Sequence, residues 1–272
     1  LAVCKVPQAE IHYEEFGEGK PIIMLHGFSL DHRVMSGCME PIFTNRNGWR
    51  RIYIDLPGMG RSKRYNNIES SDDMLDAVLQ FIQLKLSNED YLVAGESYGG
   101  YIARGIIERC KKNVLGAAFI CPLIVPKIEN RRIDKHKVLK TDHQFIQTLS
   151  NQEKEEFEHV NVVLNEDSWL RYKNEIQAGS KLADEQLLIK VKSNYEFSFE
   201  IDQSKFEKPS VFLLGRQDAS VGFIDALEII NKYPRGTFAV VDTSDHNLQI
   251  EQPDIFNTLI NEWLDRMEDY LN

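Results

Sequence analysis

Residues 91–100 read YLVAGESYGG. The apolar run 91–94 enters a turn, Gly95-Glu96-Ser97-Tyr98-Gly99, and Gly100 leads into a helix-patterned stretch, YIARGIIERC. A serine fenced by glycines is either a loose turn or a nucleophile held on a strained elbow. The Gly-x-Ser-x-Gly pattern alone arises by chance in roughly one chain in ten of this length. Its setting narrows the choice, because a strand before and a helix after are what a nucleophile elbow requires. Ser97 is then expected in a strained conformation at the C-terminal end of a strand. Gly95 and Gly99 would omit side chains that collide with neighbouring backbone.

Short apolar runs of the same kind recur on both sides. AVCKV (2–6) and AEIHYEEFGEG (9–19) fit two short strands ending in a glycine turn. PIIMLHG (21–27), RIYIDLPG (51–58), LGAAFICP (115–122), PSVFLLG (209–215) and TFAVVDT (237–243) each fit a buried strand. Most lack alternation, as strands covered on both faces do. Helical patterns lie between them. SSDDMLDAVLQFIQLKL (70–86) opens with serine and aspartate caps and puts Met74, Leu75, Val78, Leu79 and Ile82 on one face. GGYIARGIIERCKK, VGFIDALEIINKY and PDIFNTLINEWLDRM read similarly, the last with proline in its first turn. This alternation predicts an α/β fold: a mostly parallel eight-stranded sheet with helices on both faces. The strand runs stop between 123 and 205, where the chain is charged, helix-prone and dotted with aromatics. A structureless loop of that length is improbable. The expected organisation is a core in two parts, 1–122 and 206–272, with a helical cap, 123–205, inserted after the sixth strand. Its aromatics (Phe145, Phe157, Trp169, Tyr172, Tyr195, Phe197, Phe199) are expected mainly to form the insertion's own core.

The balance of 32 basic against 42 acidic residues gives a net charge of -10. That excess argues against nucleic acid or an anionic membrane surface as a partner. Arg131 and Arg132 with Lys135 and Lys137 make only a short basic patch. No apolar run approaches the length of a membrane span. The opening LAVCKVPQAE lacks a secretory signal pattern, and four scattered cysteines form no framework. A cytoplasmic protein with reduced thiols is the expectation.

A serine hydroxyl is a poor nucleophile and needs a base and an orienting acid. Asp218 follows the strand run 209–215, and His246 follows the run 237–243, ahead of the terminal helix pattern. The order Ser97, Asp218, His246 is the one such elbows use. The rival acid is Glu129, after the sixth strand. In LHGF (25–28) a strand ends in Gly27, which lets backbone approach a substrate, so the N–H groups of Phe28 and Tyr98 are the expected oxyanion donors. His26 and the turn DLPGMGRS (55–62) are expected to set loop shape.

With LHGF, DLPGMGRS, GESYGG, GRQD and DHNLQIEQP together, the chain resembles the capped α/β-hydrolases over nearly its whole length outside 123–205. The resemblance implies a serine hydrolase that uses neither cofactor nor metal and acts on a small-molecule acyl substrate through an acyl-enzyme. A serine nucleophile separates it from the dehalogenase and epoxide-hydrolase relatives, which carry aspartate there. The same resemblance admits a carbon–carbon bond hydrolase, or an aminopeptidase using cap residues such as Glu153, Glu155, Glu156 and Glu158. From another class, it admits a non-catalytic binding protein on the same fold. Many relatives place glycine before the catalytic histidine, where this chain has Asp245. An aspartate there is expected to favour the protonated ring.

Overall fold

The computed structural model describes residues 2–87 and 89–272. Apolar runs become strands where the expectation placed them. β1 (Ala2–Val6) and β2 (Ala9–Phe16) form an antiparallel hairpin, and β2 pairs antiparallel with β4 (Trp49–Ile54). β3 (Lys20–Leu25) lies parallel between β4 and β5 (Tyr91–Glu96), and β6 (Val114–Ile120) extends the parallel part. The alternating pleat sends Ile22, Met24, Leu92 and Ala94 to one face and Ile23, Leu25 and Val93 to the other. Both sets are buried, which is why these strands read as unbroken apolar runs.

Each face has its own helices. α1 (Arg33–Phe43) covers the first face with Val34, Met35, Cys38, Met39, Ile42 and Phe43. α2 (Ser71–Leu86) and α3 (Tyr98–Cys110) cover the other. Ser70 caps α2 by accepting the N–H of Asp73, and Asp72, Asp73 and Lys85 sit at the ends the helix dipole favours.

After β6 the chain leaves the main sheet and returns to it at residue 210. This excursion contains a two-stranded parallel ribbon, β7 (Lys140–Thr141) with β8 (Val163–Leu164), and the helices α4 (His143–Ile146), α5 (Asn151–Val160) and α6 (Glu166–Arg171). A π-helical turn (Tyr172–Gln177), α7 (Ala178–Ser180) and α8 (Glu185–Ser193) follow. Its aromatics divide. Phe157, Trp169 and Tyr172 build a small core with Ile146 and Leu164, whereas Tyr195, Phe197 and Phe199 pack on the main core.

β9 (Ser210–Gly215) and β10 (Gly236–Val241) complete the sheet, whose order is β1-β2-β4-β3-β5-β6-β9-β10. The helix expected over 221–233 is broken into α9 (Ile224–Glu228) and a 3-10 turn (Ile230–Lys232). α10 (Leu248–Glu251) leads into α11 (Pro253–Leu271), which lays Phe256, Ile260, Trp263, Leu264 and Met267 beside α1. Strand order reverses at β3, since β4 lies on one side of it and β5 on the other. The C-terminal ends of β3 and β5 are therefore the switch point where open α/β sheets place their sites.

Candidate active site

Ser97 sits at that switch point. Its backbone has φ 51° and ψ -116°, a conformation that costs a non-glycine residue on the order of 1–3 kcal/mol. The turn persists because its surroundings overdetermine it. Ser97 N–H donates to Ile120 O at 2.9 Å, and Ser97 O accepts from Gly100, Tyr101 and Leu123. A side chain at Gly99 would begin 2.2 Å from Leu25 O, and one at Gly95 would begin 2.4 Å from Gly99 C. Strand and helix can approach this closely only with glycine at both positions.

Two loops on the far side of β5 supply the partners. Asp218 follows β9 and His246 follows β10. His246 Nε2 lies 2.8 Å from Ser97 Oγ, and Nδ1 lies 2.9 Å from Asp218 Oδ2. Asp218 Oδ1 also accepts the N–H groups of Ser220 and Val221. Burial alone would raise the Asp218 carboxyl, but His246 and these donors outweigh it and hold it below its usual range. For His246, burial favours the neutral ring. Asp218, then Glu96, then Asp245 favour the charged one, and the ring is held up to about 9. Glu129 is exposed on a 3-10 turn away from the ring, so the structure brings Asp218 rather than Glu129 to His246.

Asp245 does more for the loops than for the ring. Its Oδ1 accepts the N–H of His246 at 2.8 Å and that of Ala219 at 2.9 Å, tying the base loop to the acid loop. Its Oδ2 faces His136 Nδ1 at 2.6 Å, and His136 reaches Glu158 O with its other nitrogen. Beside it, buried Glu251 accepts from Asp245 N–H and from Val162 and Val163 N–H of the excursion. Asn247 donates to Asn161. This buried polar junction had no signature in the sequence, because its members are spread over more than a hundred positions.

Phe28 follows the β3 turn, and Tyr98 opens α3. Neither N–H donates to a protein acceptor among the described residues. His26 fixes the loop: its Nδ1 donates to Gly27 O at 2.7 Å, and its Nε2 accepts from Leu56 N–H at 2.9 Å. Asp55 of the 55–62 turn accepts from His32 and Arg61. Asp31, His32 and Asp55 come close enough to hold a cation. Arg33 and His32 already engage those carboxylates, so the cluster reads as loop structure.

A cavity of about 780 Å³ opens from Phe28, bounded by Tyr195, Pro126, Lys127, Glu129 and Arg131. Tyr195 stacks on Tyr98 with ring centroids 5.0 Å apart and meets Phe28 edge-on. The glutamates of α5 do not reach this space. Glu153 closes a capping box with Ser150, Glu156 meets Gln152 and Gln177, and Glu158 pairs with Lys154.

Residues 20–253 match the alpha/beta hydrolase fold family. The chain belongs to this family. Among solved structures, an alpha/beta superfamily hydrolase from Oenococcus oeni is similar to this α/β-hydrolase at 31% identity and a TM-score of 0.89. The match covers 95% of this chain and 96% of that one. An AB hydrolase superfamily protein of Bacillus subtilis is 26% identical over 91% of this chain and 92% of its own length. A pimeloyl-acyl-carrier protein methyl ester esterase of Nitrosomonas europaea is 32% identical, over 42% of this chain and 43% of that protein. No helix among the described residues is long and apolar enough to cross a membrane.

Proposed function

We propose that this α/β-hydrolase cleaves small carboxylic esters through an acyl-enzyme on Ser97. The reading rests on the hydrogen-bond chain from Asp218 through His246 to Ser97 Oγ. His246 Nε2 takes the Ser97 proton as Oγ attacks the ester carbonyl. The carbonyl electrons move to the oxygen, where the N–H groups of Phe28 and Tyr98 receive the negative charge. The imidazolium, stabilised by Asp218, protonates the departing alkoxide. Water then repeats the sequence and releases the acid. The excursion serves as a cap, and the cavity below Tyr195 takes the acyl or alcohol group. Esterase names among the relatives support ester over peptide chemistry, as does the engagement of Glu153, Glu156 and Glu158 elsewhere.

Ser97→Ala should cut ester turnover by about 10⁴-fold or more, while circular dichroism and melting stay near wild type. A fluorophosphonate should leave a single adduct on Ser97. Retention of even a tenth of the activity in the variant would remove Ser97 from the nucleophile's role.

A further inference from the structure

Glu96 ends β5 immediately before Ser97 and is 1% exposed. Its Oε1 lies 3.5 Å from His246 Nε2, the same nitrogen that faces Ser97 Oγ. Its Oε2 is buried with no hydrogen-bond partner among the described residues. The space around Oε2 exists because residue 27 is glycine: a Cβ there would sit 2.3 Å away. A buried carboxyl that meets no more than the Gly27 N–H is costly unless a positive charge faces it. The groups around it are the Gly27 N–H, Asp218 beyond the ring, the thiols of Cys38 and Cys121, and the Tyr195 hydroxyl. None is a cation. Among the described residues, the cation that acts on Glu96 is the imidazolium of His246; Arg131 faces Tyr195 and Asp218 instead.

We infer that Glu96 is a second carboxylate for the base: with Asp218 on the opposite nitrogen, it stabilises the His246 imidazolium formed in each proton transfer. The inference rests on the acyl-enzyme reading above. Glu96 exchanges no proton with substrate. The Ser97 proton moves to Nε2 as the Oγ–carbon bond forms, and leaves Nε2 for the alkoxide as the ester C–O bond breaks. Across that interval the positive ring sits between two carboxylates, an arrangement matched to the transition state more than to the resting enzyme. The same charge acts on the free enzyme, where it holds a proton on the base and delays the onset of activity as pH rises. Burial works against this by pushing the Glu96 carboxyl itself up to about 7. The effect therefore belongs to neutral and alkaline pH.

The test compares wild type with Glu96→Gln, which keeps shape and removes charge. The acidic limb of kcat/KM for a p-nitrophenyl ester should move down by about one pH unit or more, given the short distance. The plateau above it should fall by roughly three- to tenfold, because a weaker base drives the transfer. An unmoved limb with an unchanged plateau would overturn the inference. Should the variant fail to fold, wild type still decides: the His246 ring resonances should titrate with two inflections, one from the neighbouring carboxyl. A single inflection overturns it. Fluorophosphonate labelling of wild type across the same pH range keeps the two readings apart. No adduct on Ser97 at any pH defeats the acyl-enzyme reading. An adduct with identical pH profiles in both proteins defeats only the role of Glu96.

Discussion

At the scale of single residues, Asp245 serves both the ring and the loops. The expectation that its charge favours the protonated His246 ring holds, behind the contributions of Asp218 and Glu96. Its hydrogen bonds give it a larger task, because the loops that carry Asp218 and His246 both hang from one of its carboxylate oxygens. Asp245→Gly should strand two loop N–H groups and His136. Each lost buried partner costs on the order of 1–3 kcal/mol, so the melting temperature should drop by roughly 5–10 °C. The acidic limb of kcat/KM should shift only slightly. If calorimetry finds the melting point intact while the limb moves by a full pH unit, Asp245 acts on the ring and the loops hold themselves.

At the scale of elements, the tight passage from β5 into α3 fixes Ser97, the proposed nucleophile. Gly99→Ala drives a methyl into the Leu25 carbonyl, which is backbone and cannot step aside. The variant should lose about 3 kcal/mol or more of stability and nearly all activity. Gly48→Ala is the control. Nothing lies within 4 Å of the added carbon, so only the positive φ of 85° opposes it, at a cost of about 1 kcal/mol. Urea denaturation of both should separate collision from conformational preference, and equal losses would contradict this account of the elbow. The same elements show what was legible in the sequence. All eight sheet strands could be read: burial on both faces leaves continuous apolar runs in β3, β4, β5, β6 and β9, while the more exposed β1, β2 and β10 showed as shorter or alternating ones. The elbow, the loop ends and the order of Ser97, Asp218 and His246 could be read for the same reason, since each closes such a run. α1 was missed although Val34, Met35, Cys38, Met39 and Ile42 repeat with helical spacing. It begins without a side-chain cap and carries Pro41 inside, so neither end is marked. The helix expected over 221–233 was overextended because apolar spacing says nothing of the tertiary contacts that break it. Glu96 could not be assigned a partner, since its contacts come from β3 and the loop after β10, far along the chain.

At the scale of the whole molecule, the site opposes the stability of the fold around it. Asp218 and Asp55, the latter held down to about 2, bind protons less readily folded than unfolded. Their contribution is present above the ordinary carboxylate range and is lost as pH falls through their folded values. Glu96 and Glu251 are raised to about 7 and His246 to about 9, so the folded chain holds their protons more tightly. Their contribution is full below their unfolded values and is lost as pH rises through the folded ones. Repulsion from a net charge of -10 grows in the same direction. Stability should therefore peak near pH 5 and decline toward pH 9, while activity rises over that interval as His246 loses its proton. Melting temperatures across pH 3 to 9 measure the first trend, and a maximum at pH 8 or above would contradict it. The buried junction of Glu251, Asn247 and residues 161–163 carries a further consequence. Prising the excursion away there would break the bonds of Glu251 to Val162 and Val163 and of Asn247 to Asn161, beside His246. At the cavity's rim the exposed Lys127–Glu196 ion pair joins two parts of the excursion, and such a pair adds little stability. The excursion is thus pinned on both sides of the cavity: at Glu251 beside His246, and at the rim, where Ser71 donates to the carbonyls of Asn194 and Tyr195 and Asp72 accepts the N–H of Ser198.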